Sequence, residues 1–470
     1  MLLERQSFLV AGLSRSGSAS ARYLKSHGAA QVYIYDDVED ENVRAAIESL
    51  TAIGCHAVSK EDLSAVCEKC DILVLSPGIP VDHALPVSFR RAGKRIVGEA
   101  EIGVRALHCP VVAVTGTNGK TTTVTMIDEI LRASGKKSIA CGNVGKPITS
   151  CADELGENGI AVAEISSFQL ETLYSLVPHV AVVLNVTEDH LNRHYNMENY
   201  IFLKSRLLKN STESEYAVLN YDDDTVRSFA EKTKAKVIFF STRERVDGGY
   251  IEEGTFCFRG ERLFPVSELP LDGEHNLSNA LAAICASKLM GAGNAAICTA
   301  LKSFRGIRHR LQKVGELNGV TFIDDSKATN VDSAVKAIAS VKGESVLLVG
   351  GKDKGYDYEP LFEKMRGSGV VHAVLYGENA FRVLNAALKS NFTAVTLCRP
   401  FDIAVRVAYL TAHKGQNVLL SPASASFDSF RSYEERGDRF IEIYKKLRDE
   451  STRVVPPAAE GVREEIYLGE

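Results

Sequence analysis

Short apolar runs alternate with stretches of helical period from one end of the chain to the other. In the first hundred residues the runs are "SFLVAG", "QVYIYDD", "DILVLSPG" and "KRIVGE". A second set, "CPVVAVTG", "IAVAEISS", "VAVVLNVT" and "YAVLN", leads to a helical stretch around "HNLSNALAAICASKLM". A third set, "VTFIDDS", "SVLLVGG", "HAVLYG" and "NVLLSPAS", follows Gly306. Strands alternating with helices in this way predict an α/β fold built on parallel sheets. Residues 1–104, 105–305 and 306–450 form three expected domains, since a chain of 470 residues exceeds one core. The segment 451–470, with a proline pair and clustered charge, reads as a mobile tail.

Open α/β sheets bind ligands where their strands end, so the residues that close each apolar run carry the candidate chemistry. "VVAVTGTNGKTTT" runs from a strand into two glycines, a lysine and three threonines. The common phosphate loop is GxxxxGK[ST], but the residue five places before Gly119 is Val114, and the nearest earlier glycine is Gly116. Backbone N–H groups at Gly116, Thr117, Asn118 and Gly119, the Lys120 charge and the hydroxyls of Thr121, Thr122 and Thr123 are the set that cradles phosphates and magnesium. An inert turn has no use for that combination. Glu164 ends "IAVAE", and Asn185, Asp189 and His190 end "VAVVLNVTEDH", all at the expected nucleotide end of the sheet. A histidine is more often a structural group than a ligand, but His190 follows an acidic pair at a strand exit and is read as functional. By spacing alone Lys204, in "YIFLKSRLL", is an ordinary surface lysine of an amphipathic helix.

Near the amino terminus, Gly12 to Gly17 is almost the dinucleotide fingerprint GxGxxG, with Asp36 and Asp37 after the second strand. Ser14 replaces the middle glycine, so a side chain stands where a pyrophosphate would approach the backbone. A ligand-free turn and a nucleotide of different geometry remain equal readings of that stretch. "LSPGIP", with Ser76, Pro77 and Gly78, is a candidate for the same crevice.

Composition narrows the classes. Hydrophobic residues at 45% and charged residues at 24% are globular values, and no run approaches the roughly 18 apolar residues that span a bilayer. The first residues lack the order of a signal peptide, and ten scattered cysteines suggest a reducing compartment, so a cytoplasmic protein without a membrane partner is expected. Cys67 and Cys70 form a lone CxxC, read as structural because zinc needs four ligands. A net charge of -5 argues against nucleic acid.

In chain order, "TGTNGKTTT", "EISSFQLE", "NVTEDHLNRH", "YIFLKSRLL", "GEHNLSNALAA", "IRHRLQ", "DDSKATN" and "LSPASASFDSF" resemble the Mur ligase superfamily, over nearly the whole chain except the tail. "SSFQLE" and "DDSKATN" look like its D-glutamate-adding branch. The resemblance implies a Rossmann-like amino-terminal domain for a UDP-sugar, a central ATPase-like domain and a Rossmann-like carboxy-terminal domain for an amino acid. It also implies ATP with Mg²⁺ at two sites, the substrates UDP-N-acetylmuramoyl-L-alanine and D-glutamate, an acyl-phosphate intermediate and a monomer. Ser14, Asp36, Asp37, Ser76, Pro77 and Gly78 would hold the nucleotide sugar. Lys120, Thr121 and Thr122 would hold phosphates and metal, with Glu164 and His190 on the metal side and Asn143 beside the reacting centre. Lys204 matches a lysine that the family carbamylates, which turns a cation into a metal ligand. Asn276, Asn279, Arg310 and Asp325 would contact adenine, ribose or γ-phosphate, and Lys327, Thr329, Lys354, Ser426 and Tyr433 would contact D-glutamate. Tyr433 stands where phenylalanine is the usual residue, and Lys352 where an acid is expected. Three rivals are a nucleotide-dependent oxidoreductase, a nucleotide-binding switch without ligation, and a ligase for another amino acid.

Overall fold

Each of the twelve quoted apolar runs is a strand in the computed structural model, which describes residues 3–452 apart from 39, 272 and 354. The chain divides into two compact units between Arg305 and Gly306.

The first unit holds two sheets. One contains β1 (Ser7–Ala11), β2 (Gln31–Tyr35), β3 (His56–Ala57), β4 (Ile72–Leu75) and β5 (Arg95–Gly98). Its order is β3-β2-β1-β4-β5, parallel throughout. The order reverses between β1 and β4, the switch point at which such sheets open a ligand crevice. Gly12 and Ser76 follow those two strands. Gly12 has φ 86, and a Cβ on Gly17 would collide with its carbonyl, so the helix Arg15–Ser26 can lie this close to β1 only with glycine at both positions.

The other sheet contains β6 (Val111–Thr115), β7 (Ser138–Gly142), β8 (Ile160–Glu164), β9 (Val180–Val183), β10 (Tyr216–Asn220), β11 (Lys236–Ser241), β12 (Gly248–Glu252), β13 (Thr255–Phe258) and β14 (Glu261–Pro265). Its order is β14-β13-β12-β11-β10-β9-β6-β8-β7. Strand β6 lies between β9 and β8, so the ends of all three converge on the loop that follows it. The helix Glu274–Leu289 is buried at every residue from Asn279 to Ser287 and shares one core with the helix Lys120–Ala133 and β6. A helix apolar all round belongs inside, and burying each Leu or Ile there contributes about 1.5–3 kcal/mol.

The second unit has β15 (Gln312–Leu317), β16 (Val320–Asp324), β17 (Ser345–Gly350), β18 (Val370–Tyr376), β19 (Val395–Leu397) and β20 (Asn417–Leu420), ordered β15-β16-β20-β17-β18-β19. Its last helix, Tyr433–Thr452, runs two residues into the stretch read as a tail; residues 453–470 lie outside the described residues.

The sheets are parallel except at their margins. Strands β12, β13 and β14 pair antiparallel, as do β15 and β16. The reason is local. Glu253–Gly254, Arg259–Gly260 and Asn318–Gly319 are consecutive pairs with φ of 48 and 68, 47 and 85, and 52 and 80. Two positive φ values in succession make the tight turn that suits a hairpin.

Candidate active site

After β6 the chain passes through Gly116 (φ 155), Thr117, Asn118 and Gly119 (φ 83) into the helix Lys120–Ala133. Gly119 is required twice, since its backbone is left-handed and a Cβ would collide with the side-chain oxygen of Asn279. The end of β9 braces this loop. Asn118 N donates to Asn185 Oδ1 at 2.8 Å, and Asn185 Nδ2 donates back to Asn118 O at 3.1 Å. Thr117 Oγ1 donates to Thr187 O at 3.1 Å and accepts from Thr187 N at 3.0 Å. A loop so fixed, entering a helix N-terminus, is a preformed anion cradle. Thr122 is half-buried in the first helical turn, while Thr123 Oγ1 donates to Asn279 Oδ1 at 3.4 Å and Asn279 Nδ2 donates to Asn276 Oδ1 at 3.5 Å.

Glu164 is buried at the end of β8, where Thr121 Oγ1 donates to its Oε2 at 2.7 Å and Asn143 Nδ2 to its Oε1 at 2.8 Å. Thr121 and Glu164, read from the loop and a strand exit, therefore meet Asn143, which only the family resemblance had singled out. The hydroxyl and carboxylate are hard oxygen donors, the type magnesium takes. Among the described residues no group of three His, Cys, Asp or Glu side chains could hold a metal by itself, so a metal bound here would draw further oxygens from its substrates or from a modified lysine. His190 lies at the start of the short helix Leu191–His194, with φ 53, its exposed ring 4.9 Å from that of Phe168 and its Nε2 3.5 Å from Asp189 Oδ2.

Lys204 overturns the reading from spacing alone. It is 1% exposed, whereas Phe202 on the same helix is 63% exposed, the reverse of what residue type suggests. Its Nζ donates to Gly116 O at 2.8 Å and lies 4.5 Å from the ring centre of Tyr200. Lys120 Nζ donates to that same carbonyl at 2.8 Å and to Thr117 O at 2.8 Å. Burial, and then the repulsion of Lys120, push the Lys204 ammonium down to about 6. At neutral pH it is mainly a free amine.

The crevice at the end of β1 and β4 brings Ser14 Oγ to 3.4 Å from Ser76 Oγ. Asp36 already accepts Leu13 N at 2.6 Å and Val38 N at 3.0 Å, so it shapes the turn, while exposed Asp37 accepts the Tyr35 hydroxyl. Pro77 and Gly78 are the centre of a turn closed by Ile79 N donating to Ser76 O at 3.0 Å. Arg15 Nη2 donates to Asn143 O at 2.9 Å, which links this crevice to the Glu164 cluster.

In the second unit Asp325 is buried, accepting Ser421 Oγ at 2.8 Å and Leu311 N at 3.2 Å, and burial pushes its carboxyl up to about 7. Arg310 is exposed nearby in sequence, and Lys327 N donates to His309 O and Thr329 N to Lys327 O, each at 2.9 Å. Ser426 is buried; Tyr433 opens the last helix, its carbonyl accepting Ser326 Oγ at 2.8 Å. Lys354 lies outside the described residues. Lys352 pairs with Glu378 at 3.0 Å. Asp325 yields a pH prediction. An unfolded aspartate titrates near 3.9, so between about 4 and 7 the folded form keeps a proton that the unfolded chain has lost, and this group's contribution to stability falls as pH rises. Asp325→Asn is expected to flatten that part of the curve of thermal midpoint against pH, measured from pH 4 to 8.

Sequence reasoning missed Asn185 as the brace of the loop, although it was noted at the strand exit, and it missed Arg436 altogether. The Arg436 side chain is fully buried; Nη2 donates to Ser326 O at 2.9 Å and Nη1 to Ser424 O at 3.0 Å, joining "DDSKATN" to "LSPASASFDSF". In "EERGDRF" it reads as a surface arginine, and no local signal distinguishes it.

A braced glycine–lysine loop, an acid–hydroxyl pair beside it and a neutral amine above it, on sheets of parallel strands, define a nucleotide-dependent phosphoryl-handling enzyme. Residues 114–287 match the Mur ligase middle domain and residues 309–424 the Mur ligase, glutamate ligase domain. The chain is 39% identical over 451 residues to the UDP-N-acetylmuramoylalanine--D-glutamate ligase of Caldanaerobacter subterraneus subsp. tengcongensis, covering 95% of this chain and 100% of that one. It is 37% identical over 450 residues to the enzyme of the same name from Streptococcus mutans, covering 95% and 98%. Among solved structures, UDP-N-acetylmuramate-alanine ligase from Thermotoga maritima shares the fold with a TM-score of 0.56 at 19% identity, covering 94% of this chain and 100% of that one. The chain belongs to the Mur ligase family, ATP-dependent ligases that form amide bonds in peptidoglycan precursors.

Proposed function

We propose that this enzyme joins D-glutamate to UDP-N-acetylmuramoyl-L-alanine, with ATP converted to ADP and phosphate. The observation that carries the reading is near-full-length identity of 36–40% to relatives that bear that activity in their names, together with the Thr121–Glu164–Asn143 cluster beside the loop. The L-alanyl carboxylate attacks the γ-phosphorus and ADP leaves, giving an acyl phosphate. The amine of D-glutamate adds to its carbonyl, and the tetrahedral intermediate expels phosphate. The first step needs alignment and neutralised charge, which Lys120 and the helix N-terminus of the loop provide. Mg²⁺, at two sites, polarises the transferred phosphoryl group when bound; Thr121, Glu164, His190 and Lys204 as its carbamate would hold it.

The second step requires the incoming amine to lose a proton, and His190 is the candidate base only where it is not itself bound to the metal, since a metal-bound imidazole has no free lone pair. Asn276, Asn279, Arg310 and Asp325 hold the nucleotide. Lys327, Thr329, Lys354, Ser426 and Tyr433 hold the two carboxylates of D-glutamate by charge-assisted hydrogen bonds. No described helix is long and apolar enough to cross a membrane, and the enzyme works in the cytoplasm as a monomer. Phosphate release with UDP-N-acetylmuramoyl-L-alanine and each of D-glutamate, L-glutamate and diaminopimelate tests the assignment. D-glutamate alone should drive turnover; release driven by another amino acid would reject it.

A further inference from the structure

The turn after β4 is gripped from the second sheet by one short stretch of chain. Ser76 to Ile79 packs on Gly12, where a Cβ would meet Ser76 Cβ and lie 3.1 Å from Ile79 Cδ1. On its other side Arg193 Nη2 donates to Ile79 O at 3.0 Å. The same guanidinium is bidentate on Glu171, with Nε to Oε1 at 3.1 Å and Nη2 to Oε2 at 2.6 Å, and its carbon lies 5.1 Å from the ring centre of Phe168. The two side chains are only 13% and 8% exposed. Two residues on, Tyr195 bonds through its hydroxyl to Asp82, beyond the turn, and does so from a left-handed backbone with φ 70. Between them His194 is buried, with Nε2 3.0 Å from Ser167 Oγ, and burial lowers it to about 4, so it stays neutral. Ser167 and Glu171 follow β8, whose last residue is Glu164.

We propose that Arg193 is a positioning residue: with Glu171 and Tyr195 it clasps the Ser76–Ile79 turn and so sets where the nucleotide sugar lies relative to Glu164. This rests on the functional reading above, because it assumes that the turn binds the nucleotide sugar. One rigid planar fork satisfies both the carbonyl of Ile79, in the turn after β4, and the carboxylate of Glu171, at the end of the short helix that follows β8. Lysine, a point charge on a flexible stem, cannot hold both in one geometry. Displacements of about 1 Å in a substrate-holding element cost up to about a hundredfold in rate. Arg193 need not touch the substrate for this.

The test measures binding without turnover. Titration calorimetry of the full-length protein with UDP-N-acetylmuramoyl-L-alanine, and separately with a non-hydrolysable ATP analogue, is run on wild type, Arg193→Ala, Arg193→Lys and Tyr195→Phe. Arg193→Ala should weaken the nucleotide sugar at least tenfold while the ATP analogue stays within twofold, with Arg193→Lys between. Equal losses for both ligands would mean a general structural role and overturn the proposal, as would no loss for either. If Arg193→Ala fails to fold, Tyr195→Phe decides, since it removes only the hydroxyl of a residue 69% exposed: a two- to threefold loss confined to the nucleotide sugar supports the clasp, and unchanged affinity overturns it. Wild type that does not bind the nucleotide sugar would reject the functional reading; wild type that binds it, with variants that bind equally, would reject the clasp alone.

Discussion

Replacing Lys204 by methionine is expected to lower turnover by about three orders of magnitude, with ATP affinity changed only a few fold. The reason lies in the protonation state. With its ammonium lowered to about 6, about one Lys204 in thirty is charged at pH 7.5. The neutral amine can attack CO₂, forming an N–C bond and releasing one proton, and the product is an anion beside the phosphate loop. Enzyme freed of CO₂ and bicarbonate should therefore lose activity and regain it on adding bicarbonate, and the variant should respond to neither treatment. Below pH 6 the amine protonates and carbamate formation should fall about tenfold per unit. The stability of the variant should move opposite to its turnover. From pH 6 to about 10 the unfolded lysine holds a proton that the folded one lacks, which penalises folding, most strongly at the acid end of that window. Methionine escapes that penalty, so Lys204→Met should melt a few degrees higher at neutral pH. A variant that retains more than a tenth of wild-type turnover would show that Lys204 has no part in the reaction.

Lys120→Met is expected to cost about a thousandfold in turnover and to weaken ATP as well, because in the proposed reaction its charge would face the transferred phosphoryl group in ground and transition states alike. A second consequence separates this from simple damage to the loop. Lys120 and Lys204 share the carbonyl of Gly116, and the repulsion between them is the second cause of the low Lys204 value after burial. Without Lys120 the Lys204 ammonium should rise, so the acid limb of the residual activity should shift to higher pH. Turnover within tenfold of wild type, or an unmoved acid limb, would count against the pairing.

Much of this site was legible because its signals are local. An apolar run followed by glycine, lysine and threonine specifies strand, turn and helix within a dozen residues, and Thr121, Asn143 and Glu164 each close or follow a strand of one sheet. The antiparallel margins were legible too, in "NG" between β15 and β16 and in the glycines at Gly254 and Gly260. They went unread beside the stronger parallel pattern. Lys204 was the opposite case: spacing put it at the surface, and only resemblance gave it chemistry.

The sequence by itself determined twelve of the twenty described strands, the phosphate loop and the residue types at the exits of those strands, since hydrophobic period and turn chemistry act between near neighbours. The tertiary structure alone decided which of those residues are buried and which partners they meet. Gly116 O accepts from Lys204, 88 positions away, Asn279 fills the space over Gly119, and Arg193 reaches back 114 positions to Ile79. Desolvation and pairing set the charge on Lys204 and Asp325, and both depend on packing among distant segments that no local window of the chain contains.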